Sequence, residues 1–443
     1  MNWGIEMSNE IHSIVRSQWR SVTPLLLTLL IAAALCLFFY SSSQCLDGCG
    51  PYHNRASVAD LDGDGDLDVV GSGLRHETDT IVWAGATLWI NQGGGKFTPR
   101  DGPFGGPYTT AGDVDGDGDV DLLRWAYDVI LIHTNYGEED PEFGSFQVWY
   151  GVHTGADPLN WNVTAIGSLA LGDLNGDGRL DAIAGKCCAT MIEEKDGFLP
   201  FLPWVWINKP DESGYPRSAG MQLNSLGDLP MQPALGDLDG DGDLDVYAAS
   251  QPPERGNYDP RDRILLNDGN GAFTDSGQRL DNPRRPGTAG SGAVALGDLD
   301  GDGDLDAVVA TAKGAFIWTN LGEAQGGQTG VFAESGQRLG RGHIEDVFLA
   351  DLDGDGDLDS VVGEKAQVTV WLDTVTAAGK AQASIWLNDG QAGFRDSGQR
   401  LSYTERDGLA VGDFNGGGFP DVFIAKGDEF QLRLNQGSDG SPP

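Results

Sequence analysis

DLDGDGDLD occupies residues 60–68, and the same nonapeptide returns at 237–245, 298–306 and 351–359. Variants stand at 113–121 (DVDGDGDVD), 173–181 (DLNGDGRLD) and 413–421 (DFNGGGFPD). The seven starts, Asp60, Asp113, Asp173, Asp237, Asp298, Asp351 and Asp413, lie 53, 60, 64, 61, 53 and 62 residues apart. That spacing is too long for a back-to-back loop array and leaves room for a supersecondary unit between loops, the signature of a repeat architecture.

The intervening residues repeat as well. A short apolar segment precedes the loop, as in SLALG at 168–172 or AVALG at 293–297, and another follows it, as in DAIAG at 181–185 or DAVVA at 306–310. Such pairs read as two strands joined by the acidic loop. Further on, an apolar or aromatic run ends in Asn91, Asn135, Asn208, Asn267, Asn320, Asn388 or Asn435, usually with Gly two residues later. This is a third strand entering a turn. A fourth strand follows, running into SGQRL at 276–280, 335–339 and 397–401. Four short antiparallel strands leave two hydrophobic faces exposed on each unit, and radial stacking buries them. The expected fold is all-β, a seven-bladed β-propeller of four-stranded antiparallel blades over residues 55–443. Only eight residues follow Asn435, so the last blade either takes its outer strand from the linker at 41–54 or lacks one.

The loops place acids at alternate positions 1, 3, 5, 7 and 9. These are Asp60, Asp62, Asp64, Asp66 and Asp68 in the first loop and Asp113, Asp115, Asp117, Asp119 and Asp121 in the second. The fourth has Asp237, Asp239, Asp241, Asp243 and Asp245, and the fifth Asp298, Asp300, Asp302, Asp304 and Asp306. The sixth has Asp351, Asp353, Asp355, Asp357 and Asp359, whereas the third reads Asp173, Asn175, Asp177, Arg179 and Asp181. Packing so many carboxylates into so short a loop is self-repulsive without a cation, and a turn needs only one or two. Calcium, a hard cation taking six to eight oxygens, answers that need; magnesium, with its small, partly hydrated octahedral shell, fits worse. Gly at position 6 permits a sharp backbone turn. Apolar position 2, occupied by Leu61, Leu174, Leu238 or Leu299, is expected to anchor the loop in the blade core. The seventh loop keeps Asp413, Asn415 and Asp421 but has Gly417 at position 5 and Pro420 at position 8, so six calcium ions are expected.

Acidic nonapeptides flanked by short strands resemble the FG-GAP-like (VCBS) repeat family and are similar to the integrin α-subunit propeller, over about residues 55 to 440. A single loop would equally suit an EF-hand, which needs flanking helices that this sequence lacks. The resemblance implies that side chains 1, 3, 5 and 9 coordinate calcium while position 7 supplies its backbone carbonyl. Arg179 keeps that carbonyl, and Asn175 offers an amide oxygen in place of a carboxylate.

Asp and Glu number 67 against 28 Lys and Arg, a net charge of -39, yet 40% of residues are hydrophobic, enough for a packed core. Such a surface repels nucleic acid and anionic membrane, so no nucleic-acid partner is expected. Residues 24–40, PLLLTLLIAAALCLFFY, are uncharged and follow Arg16 and Arg20 in a cytoplasmic segment at 1–23. The run is expected to form the one helix and reads as a signal peptide or as a transmembrane anchor. Either one delivers the propeller to the cell surface or beyond and confines membrane contact to this segment. Cys45 and Cys49 are close enough to bridge; adjacent Cys187 and Cys188 can form a strained bond, pair elsewhere or stay reduced.

Antiparallel connections alternate between the two faces of the disc, so the acidic loops share one face with the Asn turns. From position 9 to the Asn is 14 residues in repeats two, five and seven, but 23, 27, 22 and 29 in repeats one, three, four and six. The extra chain, roughly 72 to 86, 186 to 203, 249 to 262 and 363 to 382, falls on the opposite, non-metal face. It carries Arg75, His76, Trp83, Cys187, Cys188, Trp204, Arg255, Tyr258, Arg261 and Lys365. Loops on a rigid scaffold are where binding residues collect. A monomeric binding or adhesion module for a protein or glycan is the expected function, with a scaffold for a polysaccharide lyase or other hydrolytic enzyme as the alternative. Neither HExxH nor GxSxG occurs, and six His are present.

Overall fold

The computed structural model describes residues 56–437 apart from 72–73, 78–79, 84–86, 103–108, 127–128, 138–142, 144–146, 152–167, 186–202, 210–218, 224–230, 251–258, 260, 282–290, 323–327, 366, 372–373, 379–381, 403–406 and 427–428. The segment 24–40, the linker 41–54 and all five cysteines lie outside the described residues. Among the described residues no helix is long and apolar enough to cross a membrane.

The chain forms seven blades. Blade one comprises β1 (Ala56–Ala59), β2 (Asp68–Gly71), β5 (Thr87–Asn91) and β6 (Phe97–Asp101), with the hairpin β3 (Leu74–Glu77) and β4 (Thr80–Trp83) inserted after β2. Blade two is β7 (Thr109–Gly112), β8 (Asp121–Ala126), β9 (Val129–His133) and β10 (Gln147–Gly151). Blade three is β11 (Leu169–Gly172), β12 (Asp181–Ala184), β13 (Trp204–Trp206) and β14 (Ala219–Gln222). Blade four is β15 (Met231–Gly236), β16 (Asp245–Ser250), β17 (Arg263–Asn267) and β18 (Phe273–Asp275). Blade five is β19 (Ser291–Gly297), β20 (Asp306–Thr311), β21 (Gly314–Asn320) and β22 (Phe332–Leu339). Blade six is β23 (His343–Ala350), β24 (Asp359–Lys365), β27 (Gln382–Leu387) and β28 (Arg395–Ser402), with the hairpin β25 (Gln367–Trp371) and β26 (Thr374–Ala378) inserted after β24. Blade seven is β29 (Gly408–Gly412), β30 (Asp421–Lys426) and β31 (Glu429–Arg433).

Within a blade all pairing is antiparallel, and the inner pair keeps one register around the ring: Ala59 opposes Asp68, Gly172 opposes Asp181, and Gly412 opposes Asp421. Outer strands β10 and β14 also pair, in parallel, which fuses blades two and three into one eight-stranded sheet. This covers two sheet edges that would otherwise present unpaired backbone groups.

The core is divided among the blade interfaces. Seven hydrophobic clusters form, each shared by two neighbouring blades, as in Leu61, Val70 and Ile90 of blade one with Leu122 of blade two. The inner strands come close because glycine ends most of them. A Cβ on Gly297 would lie 2.6 Å from Leu358 Cδ1 and 3.1 Å from Leu349 Cδ1 of the next blade. Gly236 stands in the same relation to Leu305, and Gly172 to Leu244.

Blades seven and one meet through aromatic rings. Trp89 and Phe97 of blade one pack on Phe414, Phe423 and Phe430, with the Phe97 centroid 4.9 Å from that of Phe423. Among the described residues blade seven has no fourth strand, and β1 lies beside β29.

Candidate metal centres and the clasp between blades

Each acidic loop leaves the end of an inner strand and returns at the first residue of the next strand. Position 1 closes the curl: Asp60 Oδ1 accepts the Gly63 N–H at 2.8 Å, and Oδ2 accepts that of Gly65 at 3.0 Å. Gly65 has a φ of 93°, which only glycine adopts without strain. The same pair of bonds recurs on Asp113, Asp237, Asp298 and Asp351.

This curl gathers oxygens. Asp60, Asp62 and Asp68 each bring one carboxylate oxygen within 4.8 Å of the others, and so do Asp113, Asp115 and Asp121, and Asp237, Asp239 and Asp245. In loops five and six the convergent acids are Asp298, Asp300 and Asp302, and Asp351, Asp353 and Asp355. Positions 1 and 3 belong to all five clusters, joined by position 9 or 5. Position 7 belongs to none; its side chain turns toward the glycine after the Asn, so that a Cβ on Gly269 would meet Asp243 Oδ2 at 2.5 Å.

These donor sets fit a hard divalent cation. Asp239 Oδ1 and Asp353 Oδ1 are buried yet make no hydrogen bond among the described residues. Burial pushes Asp62, Asp239 and Asp353 above the usual carboxylate range, and neighbouring acids push the same way. Asp115 reaches about 6 by burial and then by repulsion from Asp117. A bound cation reverses this preference by favouring the ionised form.

Position 9 does two jobs. Asp68 is fully buried; its Oδ2 accepts the Leu61 N–H at 2.7 Å and its Oδ1 accepts the Asn91 N–H at 2.7 Å. The carboxylate thus ties position 2 of the loop to the end of the third strand. All seven blades repeat the arrangement, with Asp121, Asp181, Asp245, Asp306, Asp359 and Asp421. Burial outweighs these donors, raising Asp68, Asp121 and Asp306 to about 7 and Asp181, Asp245 and Asp359 to about 6.

The Asn side chain reaches further. Asn135 Nδ2 donates to Leu61 O, in the loop of the preceding blade, at 2.7 Å, and to Val120 O in its own at 3.2 Å. Asn208 does the same with Val114 O, Asn267 with Leu174 O, Asn320 with Leu238 O, Asn388 with Leu299 O and Asn435 with Leu352 O. Asn91 completes the circle on Phe414 O at 2.7 Å. Seven asparagines thereby link each acidic loop to the next. The sequence suggested only turns at these residues; the signal for more was their fixed place at the strand end in every repeat.

A second clasp lies at the outer strands of SGQRL. Gln278 of blade four accepts the Phe332 N–H of blade five at 2.9 Å, and Gln337 of blade five accepts the Phe394 N–H of blade six at 2.9 Å. Leu280, Leu339 and Leu401, which end the motif, are buried.

Loop seven closes on itself. Asn415 Nδ2 donates to both oxygens of Asp421, at 3.1 and 2.9 Å, so an amide stands where five of the other loops converge carboxylates. In loop three Asn175 Oδ1 accepts the Asp177 N–H at 3.0 Å, and Asp173 keeps its contact with the Gly178 N–H at 2.7 Å. As expected, the position 2 residues are buried, Leu61, Leu174, Leu238 and Leu299 alike.

On the opposite face two insertions fold as the hairpins β3–β4, which includes Arg75, His76 and Trp83, and β25–β26; Lys365 ends β24. Trp204 is not a loop residue. It begins β13, is 7% exposed and stacks on Trp206 in the core between blades two and three. Its apolar bulk decided its place, since a strand follows the insertion directly. Arg261 pairs with Asp259 at 2.6 Å. Cys187, Cys188, Arg255 and Tyr258 lie outside the described residues.

A family model for the FG-GAP-like repeat matches residues 249–309 and 298–362, which span the loops of blades five and six. Residues 249–362 are FG-GAP-like repeats. No curated protein matches the chain. Among solved structures, BBS1N in complex with ARL6DN covers 88% of this chain and 94% of its own, at 11% identity and a TM-score of 0.50. The periplasmic gluconolactonase PpgL of Pseudomonas aeruginosa covers 86% and 88%, at 13% identity and a TM-score of 0.50. An Agrocybe aegerita lectin that recognises non-reducing terminal N-acetylglucosamine covers 85% and 86%, at 18% identity and a TM-score of 0.49. The two structures at a TM-score of 0.50 show a likeness of fold alone, and the FG-GAP-like match covers the acidic loops of blades five and six.

Proposed function

We propose that the chain is a calcium-loaded propeller, exposed outside the cell, that acts as a binding module for a protein or glycan. The observation that carries the calcium is the convergence of acid side chains on one centre in five separate loops, with Asp239 Oδ1 and Asp353 Oδ1 buried and without a hydrogen-bond donor among the described residues. Loop three adds a sixth site through Asp173, Asn175, Asp177, Asp181 and the carbonyl of Arg179. Calcium at each would neutralise like charges that otherwise repel across a few ångströms. With a dissociation constant of ~10⁻⁴ M and ~1 mM free calcium, each site contributes ~1.4 kcal/mol, or ~8 kcal/mol for six.

Chelation is therefore expected to lower the melting temperature by tens of degrees, and titration calorimetry to count six ions. An unchanged melt in chelator refutes the reading. The partner surface is assigned to the insertions on the face opposite the acidic loops, because a purely structural ring has no reason to lengthen four blades and keep three minimal. Replacing the insertions of blades one, three, four and six by the short connection of blade five should abolish capture on a glycan or matrix-protein array while the calcium count stays at six. Capture at full strength by the shortened protein places the partner elsewhere.

A further inference from the structure

Blade seven is less covered than its neighbours. The residue before the Asn is buried where an outer strand lies alongside, as with Ile90 at 0% and Leu387 at 2%, whereas Leu434 is 45% exposed. β5 is buried along its whole length, but β31 is exposed at Glu429 and Arg433 and half-buried between them. Among the described residues the outer edge of β31 has no partner. An open edge is a template for a further strand.

The sequence holds a strand of the right kind. The outer-strand segments of blades four, five and six read FTDSGQRL at 273–280, FAESGQRL at 332–339 and FRDSGQRL at 394–401. FYSSSQCL at 39–46 shares with them the Phe, the Ser, the Gln and the Leu. The spacing agrees as well: Leu280, Leu339 and Leu401 precede the next acidic loop by 18, 12 and 12 residues, and Leu46 precedes Asp60 by 14.

The four shared residues are the ones that act. Phe332 stands opposite Asn320, and its N–H meets Gln278 of the blade before, as the N–H of Phe394 meets Gln337. Ser397 Oγ donates to Ile385 O of the third strand at 2.8 Å. Leu280, Leu339 and Leu401 are buried. The departures are coherent too. Ser41 and Cys45 replace both members of the pairs Asp275–Arg279 and Asp396–Arg400, so an ion pair is lost whole and no charge is stranded. Ser43 replaces Gly277, Gly336 or Gly398, whose φ values of 84°, 85° and 80° suit glycine.

We propose that the open edge of β31 is the docking site for residues 39–46 of the same chain, which pair with it antiparallel as the fourth strand of blade seven. Gln44 then accepts the N–H of Phe97, which stands opposite Asn91 as Phe332 does opposite Asn320. Leu46 takes the place that Leu401 holds in blade six. The strand begins inside the uncharged run at 24–40 and overlaps the linker at 41–54 only in part. A cut that removes the apolar run must therefore fall before Phe39 if the ring is to keep this strand.

The register places Cys45 opposite Gln431, as Arg338 lies opposite Phe316 and Arg400 opposite Ser384. Opposed residues in such a pair have Cα atoms roughly 4.5–5.5 Å apart, within the span of a disulfide. In the full chain carrying Cys49→Ser, oxidised in calcium, Gln431→Cys should join Cys45 within one chain, as mapped by mass spectrometry of its peptides. Arg433→Cys, two residues along, should give no such link. Ser43→Gly should raise the melting temperature by about 1–2 °C, because glycine relieves the positive φ; in an unpaired linker the same change gives no rise. The proposal is overturned if Gln431→Cys forms no link with Cys45, or links two chains, which would assign the edge to a second copy. It is overturned equally if Arg433→Cys links as well as Gln431→Cys, if Ser43→Gly gives no rise, or if the mature chain begins after Phe39.

Discussion

Removing one asparagine from the ring of clasps should cost far more than a turn residue is worth. In Asn320→Ala the backbone N–H bond to Asp306 survives, but three side-chain bonds go: Nδ2 to Leu238 O at 2.9 Å, Nδ2 to Leu305 O at 3.3 Å, and the Gly330 N–H to Oδ1 at 2.8 Å. Leu305 O is partly exposed and turns to water, whereas Leu238 O and the Gly330 N–H are left buried without partners. At about 1–3 kcal/mol for each orphaned group, the loss is about 4 kcal/mol, a large share of the roughly 5–15 kcal/mol that holds an ordinary domain together. Asn320→Asp should be worse, because a carboxylate oxygen would then face two carbonyl oxygens beside Asp306. Urea unfolding followed by circular dichroism in saturating calcium measures both. The reasoning is refuted if the alanine variant stays within about 1 kcal/mol of the parent, or if the aspartate variant is the more stable of the two.

Asp262 is buried and accepts hydrogen bonds from Ser250 N, Ser291 Oγ and Tyr247 OH, yet burial, with Asp281 adding repulsion, raises it from 3.8 to about 7. The folded state keeps a proton there that the unfolded chain releases, so this acid's contribution falls as pH rises from about 4 to 7 and is flat above; Asp262→Asn should gain on the order of 4 kcal/mol at pH 8 and nothing at pH 3. Equal pH profiles for parent and variant would refute it. In loop seven, Asn415→Asp with Gly417→Asp restores the missing carboxylates, and calorimetry should then count one ion more than for the parent; an unchanged count rejects the assignment of the loop as metal-free. Gly297→Ala drives a methyl against Leu358 and Leu349 of the next blade and should cost about 1–3 kcal/mol in urea unfolding, with a neutral result ruling out tight inner-strand packing.

The blade count, the strand order and the places of the acidic loops were legible because each rests on a local pattern, alternation of apolar residues or acids two apart, repeated seven times. Position 2 was legible for the same reason: a lone leucine between aspartates can only be turned inward. The double role of Asp68 and its equivalents was not, since a carboxylate that binds backbone and one that binds metal look alike in a sequence. Nor was the reach of Asn135 to Leu61 O, a contact across 74 residues that exists only once two blades are placed side by side. Trp204 was misplaced because the length of an insertion says how much chain is extra and not which of its residues begins the next strand. The parallel pairing of β10 with β14 had no local signal at all.

The aromatic seam between blades seven and one carries a consequence for temperature. Elsewhere aromatic rings enter an interface as pairs, Trp204 with Trp206 and Tyr247 with Phe332, whereas the ring is drawn shut here by five, Trp89, Phe97, Phe414, Phe423 and Phe430. Edge-on ring contacts give this joint a preferred geometry, but most of its strength is the withdrawal of apolar surface from water, which fades on cooling. The other six interfaces are also closed by apolar burial, so cooling should weaken all seven joints together, and the ring should loosen in the cold as a whole.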